Sequence, residues 1–374
     1  VKHLSEYRDA ERAQTIAAAI AREALAERRY RIMEFCGGHT HAIFRYGLQD
    51  LLPANVEMVH GPGCPVCVLP VGRLDMAMRI AEQPGVILAT YGDMLRVPGV
   101  KGRSLLKAKA GGADIRMVYS AADAVAIAAQ NPDREVVFLA IGFETTTPPT
   151  ALALREAKAR GLTNFSAFVN HVLTPAALAA ILGKTSEAEM VQIDGILGPS
   201  HVSVVTGYEP YEFATKAYGR PVVIAGFEPV DVLQSILMVI RQLNEGRCEV
   251  ENQYIRAVGP GGNAIAQALM QSMFEERDAF EWRGLGWIPH SALKLRPEWA
   301  AFDAEVKFGV AYQSLPETKS CECPAILRGQ KKPVDCKLFG KACTPETPLG
   351  ACMVSAEGSC AAYYTYGRFR EEAA

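Results

Sequence analysis

Apolar residues along this chain fall into short unbroken runs more often than into alternating ones. The runs are Arg31–Cys36, Val56–His60, Val86–Tyr91, Ile115–Ser120, Val136–Gly142, Phe165–Asn170, Gly195–Gly198 and Pro221–Ala225. Runs of that kind predict strands buried on both faces, as parallel sheets require. Stretches with helical character lie between or after them, at about 70–81, 121–130, 148–160, 174–182, 207–218 and 229–245. An amphipathic stretch rich in Ala, Glu and Arg, Leu4–Arg29, precedes the first run and predicts a further helix. Strands alternating with helices make an α/β pattern.

From roughly Pro289 the pattern changes. Strands are hard to find, no long apolar run remains, and six of the ten cysteines fall between Cys321 and Cys360. Such a segment should be loop-rich and held by something other than a hydrophobic core. A length of 374 residues suggests two or three domains. The pattern divides the chain into 1–113, an α/β domain; 114–235, a second α/β domain; and 236–374, a helical then cysteine-rich region.

Charge and composition remove several classes. Lys and Arg number 39 against 41 Asp and Glu, a net charge of −2, which argues against nucleic-acid binding. The best candidate for a membrane span, Pro221–Ile240, is broken by Glu228 and Asp231, so no membrane partner is expected. The first residues are too charged for a signal peptide, and a cytoplasmic location is expected. In that compartment clustered cysteines are metal ligands or redox groups more often than structural disulfides.

Two motifs sit at predicted strand ends. In Cys36-Gly37-Gly38-His39-Thr40-His41, a cysteine precedes a predicted helix. The helix dipole there lowers a thiol pKa, so a Cys36 thiolate is expected, as nucleophile or soft-metal ligand. His39 and His41 are candidate metal ligands, acid/base groups or capping residues. In Gly61-Pro62-Gly63-Cys64-Pro65-Val66-Cys67, the C-x-x-C pair can form a disulfide, hold a metal or exchange with thiols. Zinc would need two more ligands and there is no second C-x-x-C, so redox chemistry is favoured. One sheet edge could collect Cys36, Cys64 and Cys67.

Val136–Glu144 weakly echoes Val222–Glu228: each is an apolar strand followed by Gly-Phe-Glu. Glu144 can orient a ligating His, accept a proton or cap a helix. His201, in Pro199-Ser200-His201-Val202-Ser203, is a candidate site residue or a core histidine. Cys321, Cys336, Cys343 and Cys360 are separated by 14, 6 and 16 residues, with Cys323 and Cys352 extra. Zinc knuckles are missing from that spacing, whereas iron–sulfur clusters tolerate wide spacing between four cysteines.

Taken together, these motifs resemble the HypD family of [NiFe]-hydrogenase maturation proteins, from Cys36 to Cys360. The resemblance implies two related α/β domains with mainly parallel sheets plus a C-terminal loop-rich iron–sulfur region. It implies a [4Fe-4S] cluster on Cys321, Cys336, Cys343 and Cys360, with Cys323 competing for the first position. It implies iron of an Fe(CN)₂CO precursor at Cys36, near Cys64 and Cys67, with His39, His41, Glu144 and His201 in support. The implied partners are a HypC-like chaperone and a HypE-like cyanide donor. Cys64 and Cys67 would supply the two electrons that release cyanide from a thiocyanate. The alternative is an iron–sulfur-dependent disulfide reductase, which has no need of Cys36.

Overall fold

The computed structural model describes residues 5–183 and 191–367. Among the described residues nine strands form two parallel sheets: β1 Tyr30–Glu34, β2 Val56–His60, β3 Val86–Thr90, β4 Asp114–Met117, β5 Glu135–Gly142, β6 Phe165–His171, β7 Gly195–Gly198, β8 Val222–Ile224 and β9 Val250–Asn252. The first sheet runs β2-β1-β7-β8-β9 and the second β4-β3-β5-β6. Every pairing within them is parallel. The protein is therefore α/β, as the continuous apolar runs predict.

The order of strands differs from the order of the chain. The chain leaves the first sheet after β2, builds the whole second sheet from β3 to β6, and returns at β7. The boundary expected at 113/114 falls inside the second sheet, between β3 and its neighbour β4, and β7 and β8 join strands from the first hundred residues. Local apolar runs specify strands, but which strands become neighbours is decided by the crossover paths that bury both faces.

Alternation across each strand builds three cores. Along β5, Val137, Leu139 and Ile141 face a core shared by both sheets and the C-terminal region. Val136, Phe138 and Ala140 face the opposite way, into a core of their own. The outer face of the first sheet is covered by α1 Ala10–Glu23, α2 Gly37–Tyr46 and the helix Pro229–Glu245. The predicted helix Leu4–Arg29 is thus shorter, and Leu4 lies outside the described residues.

The pattern did not reveal β9, nor the strands after it: β10 Phe274–Glu276, β11 Ala279–Trp282, β12 Gly286–Pro289 and β13 Leu293–Leu295, paired in two antiparallel ribbons. The cysteine-rich segment is mostly loop and ends in the helix Ser359–Tyr366. That helix lies on α2, with Tyr363 edge-on to Phe44 at 5.1 Å. Among the described residues no helix is long and apolar enough to cross a membrane.

Candidate functional site

The two sheets meet at the C-terminal ends of their strands, where parallel α/β folds expose loops to ligands. A cavity of about 360 Å³ lies there. The first sheet contributes Cys36, His41, His201 and Phe227, and the second contributes Phe143, Thr145 and Thr146. Glu357, from the C-terminal segment, completes the wall.

Cys36 N-caps α2 in extended conformation, half-buried at the cavity wall. The close approach of the next strand's loop fixes it: the Gly37 N–H donates to the Gly63 carbonyl at 3.1 Å. A Cβ on Gly63 would lie 2.5 Å from the Cys36 Cα, so only glycine fits. The expected Cys36 thiolate is corrected. Burial pushes the thiol up, Glu357 and Glu34 add to it, and the Gly38 and His39 N–H groups oppose them. The helix end supplies the favourable field the motif predicts, but desolvation and two carboxylates outweigh it.

Glu34 is a site residue that sequence reasoning missed. It is fully buried, and its carboxylate accepts from the Cys36 N–H at 3.0 Å, from the Thr40 hydroxyl and from the His60 ring at 2.8 Å. Its only signal was a lone acid in an otherwise buried strand run. Glu357 had no local signal, because only the fold brings it to Cys36; burial raises its pKa, and Asp93 and Glu34 raise it further. At the cavity rim, Glu228 pairs with Arg8 through Nη2–Oε1 at 2.9 Å.

The four other predicted groups separate. His41 and His201 line the cavity. His41 sits with Nδ1 3.3 Å from the Ala356 carbonyl, and His201 lies edge-on to Phe227 at 4.3 Å. Burial lowers the His201 pKa, so its ring is neutral near pH 7. His39 is fully buried away from the cavity, its Nε2 3.1 Å from both Ser200 Oγ and the Ala225 carbonyl. Burial lowers its pKa too, and it ties α2 to the ends of β7 and β8. Glu144 also points away: its carboxylate accepts from the Thr174 N–H at 2.8 Å and the Thr174 hydroxyl at 2.9 Å, capping the helix Thr174–Leu182. Burial raises it to about 7. The two Gly-Phe-Glu echoes thus sit on different sheets, and only Glu228 reaches the cavity.

Cys64 and Cys67 form a disulfide across the short helix α3 Pro65–Val68. Both are buried, at 2% and 0% exposure. Cys67 Sγ lies 4.0 Å from the Ala351 carbonyl, next to Cys352. Beyond it, Cys321, Cys323, Cys336, Cys343 and Cys360 line one small cavity closed by Leu338, Phe339 and Met353. Cys352 hydrogen-bonds with Cys323 and Cys360 behind it. Space for these sulfurs depends on Gly350, where a Cβ would lie 2.4 Å from Cys321 Sγ and 2.6 Å from Cys323 Sγ. Cys323 is pushed up by its hydrogen bond with Cys321, and Cys321 is correspondingly held down. Among the described residues no three acidic, His or Cys side chains converge closely enough for a single metal ion.

Fold and site define a class: an α/β protein with an accessible cysteine where two parallel sheets meet, a buried cysteine pair beside it, and a C-terminal nest of thiols. Comparison with known proteins narrows the class. The HypD family, described as the hydrogenase formation hypA family, matches residues 11–367. The hydrogenase maturation factor HypD of Rhizobium leguminosarum bv. viciae is 61% identical over 374 residues, covering 100% of this chain and 97% of its own length. The HypD of Cupriavidus necator is 60% identical over 99% of this chain and 98% of its own length. That of Escherichia coli K12 is 49% identical over 93% and 92%. The chain belongs to the HypD family of hydrogenase maturation factors.

Proposed function

We propose that this chain is a scaffold with redox function for assembling the Fe(CN)₂CO group of [NiFe]-hydrogenase, working with a HypC-like chaperone and a HypE-like cyanide donor. The observation that carries this reading is the continuity of three sulfur sites. Gly63, adjacent to Cys64, packs on the Cys36 backbone, and Cys67 contacts Ala351, adjacent to the C-terminal thiols.

Cys36 Sγ holds the iron cargo in the cavity, where thiolate suits a soft low-spin centre. Because burial and two carboxylates keep the free thiol protonated, taking up iron releases that proton. His41 and His201 line the same cavity and are placed to hydrogen-bond the iron's other ligands. Cys64 and Cys67, once reduced, supply two electrons. Their two thiols lose two protons and form one S–S bond, while the S–C bond of a thiocyanate breaks to give a thiol and cyanide.

Cys321, Cys336, Cys343 and Cys360 would hold a [4Fe-4S] cluster, with Cys323 facing the same cavity. A bound cluster supplies single electrons. The residues fit that group: several thiols around one apolar cavity, beside a glycine that leaves room for sulfur, in a region with little regular structure. A general disulfide reductase has no need of Cys36, yet Cys36 lines the cavity together with His41 and His201.

Anaerobically purified Cys36→Ala tests the assignment. It should lose the infrared bands of iron-bound cyanide and carbonyl while keeping acid-labile sulfide and visible cluster absorption. Retention of the infrared bands, or loss of the sulfide, would overturn this separation of roles.

A further inference from the structure

A buried cation lies between two of the three sulfur sites. Arg283 sits in the turn joining β11 and β12 and is 3% exposed. Its backbone N–H donates to the Val68 carbonyl at 2.8 Å, one residue past Cys67, and its Nε donates to the Leu69 carbonyl at 3.0 Å. On the other side, a Cβ on Gly284 would come 2.8 Å from the Cα of Pro324, so this turn touches the residue that follows Cys323. Arg328 donates to the Gly284 carbonyl and fastens the contact. One guanidinium nitrogen pairs with Glu317 at 2.6 Å, and the other, Nη2, is buried with no hydrogen-bond partner in the structure. An unpartnered guanidinium N–H in a buried site is costly and calls for an anionic neighbour.

We propose that Arg283 is a positioning residue whose charge favours the reduced, more negative form of the Cys64/Cys67 pair. Reducing the disulfide adds two electrons and breaks one S–S bond, leaving two thiolates until two protons arrive. A fixed cation beside α3 lowers the cost of that charge. Glu317 is the counter-charge; burial pushes its pKa up, and Glu281 pushes it further while Arg283 opposes. The inference rests on the redox reading above, but it concerns this chain's own residues.

The test compares full-length wild type with Arg283→Gln, Arg283→Lys and Glu317→Gln. Each is equilibrated anaerobically with oxidised and reduced dithiothreitol, and alkylated Cys64 and Cys67 are counted by peptide mass spectrometry. Arg283→Gln should make the disulfide about tenfold harder to reduce, about 30 mV for two electrons. Glu317→Gln should make it easier to reduce by a similar factor, and Arg283→Lys should stay within about twofold of wild type. No shift in Arg283→Gln, shifts of the same sign in Arg283→Gln and Glu317→Gln, or a lysine variant that behaves like the glutamine one would each overturn the proposal. If Arg283→Gln fails to fold, an unshifted Glu317→Gln suffices to overturn it. The couple is measurable whether or not iron is bound, so failure to find a cluster would damage the proposed function without touching this inference.

Discussion

Glu34→Ala strands three donors at once. The Cys36 N–H, the Thr40 hydroxyl and the His60 ring nitrogen all end on this one fully buried carboxylate. A buried donor left unmade costs about 1–3 kcal/mol. The Cys36 N–H has no freedom to turn elsewhere, whereas the Thr40 hydroxyl can rotate and His60 is partly open to solvent. Counting the first in full and the others in part gives about 4 kcal/mol. At about 2.1 cal/mol/K per residue, 374 residues have an unfolding entropy of about 0.8 kcal/mol/K, so Tm should fall by about 5 °C. Glu34→Gln keeps one oxygen for the Cys36 N–H and turns its amide toward Thr40 and His60, both able to accept. Its cost should stay below about 1.5 kcal/mol, or about 2 °C. Differential scanning calorimetry reads both, and the rate of Cys36 alkylation by iodoacetamide reports the loop, rising severalfold in the alanine variant only. An alanine variant that melts with wild type and alkylates at the wild-type rate would refute the role given to Glu34.

Other substitutions probe the remaining contacts. Gly63→Ala places a Cβ 2.5 Å from the Cys36 Cα and should cost about 1–3 kcal/mol in backbone shifts, with a changed Cys36 alkylation rate; wild-type melting and alkylation would contradict it. Gly350→Ala drives a methyl into Cys321 and Cys323, so iron and sulfide bound after anaerobic reconstitution should fall by more than half, and full loading would count against the site. Burial raises Glu144 to about 7 from an ordinary 4.5, so the folded state holds the proton more tightly than the unfolded one. Its contribution is fully present below pH 4.5 and is lost as pH rises through 7, up to about 3 kcal/mol. The Tm of wild type relative to Glu144→Gln should therefore decline from pH 4.5 to 7, and a flat difference would show that Glu144 does not titrate in that range.

The local chemistry was legible in the chain itself. Unbroken apolar runs gave the strands, because a strand buried on both faces has no polar positions to alternate. Cys36 and the Cys64/Cys67 pair could be placed at strand ends because each motif directly follows its run, and β1 and β2 prove to be neighbours. The gathering of the C-terminal cysteines followed from the lack of any other means of holding that segment together. β9 to β13 were missed because three or four residues carry too little pattern to register.

What the tertiary structure alone decided was the environment of each group. The second sheet is built between β2 and β7, and strand order depends on crossover paths that no local run encodes. His39 and His41 are two residues apart, yet one is locked in the core and the other faces the cavity, because successive side chains on α2 meet different neighbours. Glu144 turned from the site to a helix start supplied by Thr174. Burial, Glu357 and Glu34 push the Cys36 thiol up, where its position before a helix promised thiolate. Protonation is set by desolvation and by charges within a few ångströms, and those charges come from residues as far along the chain as 357.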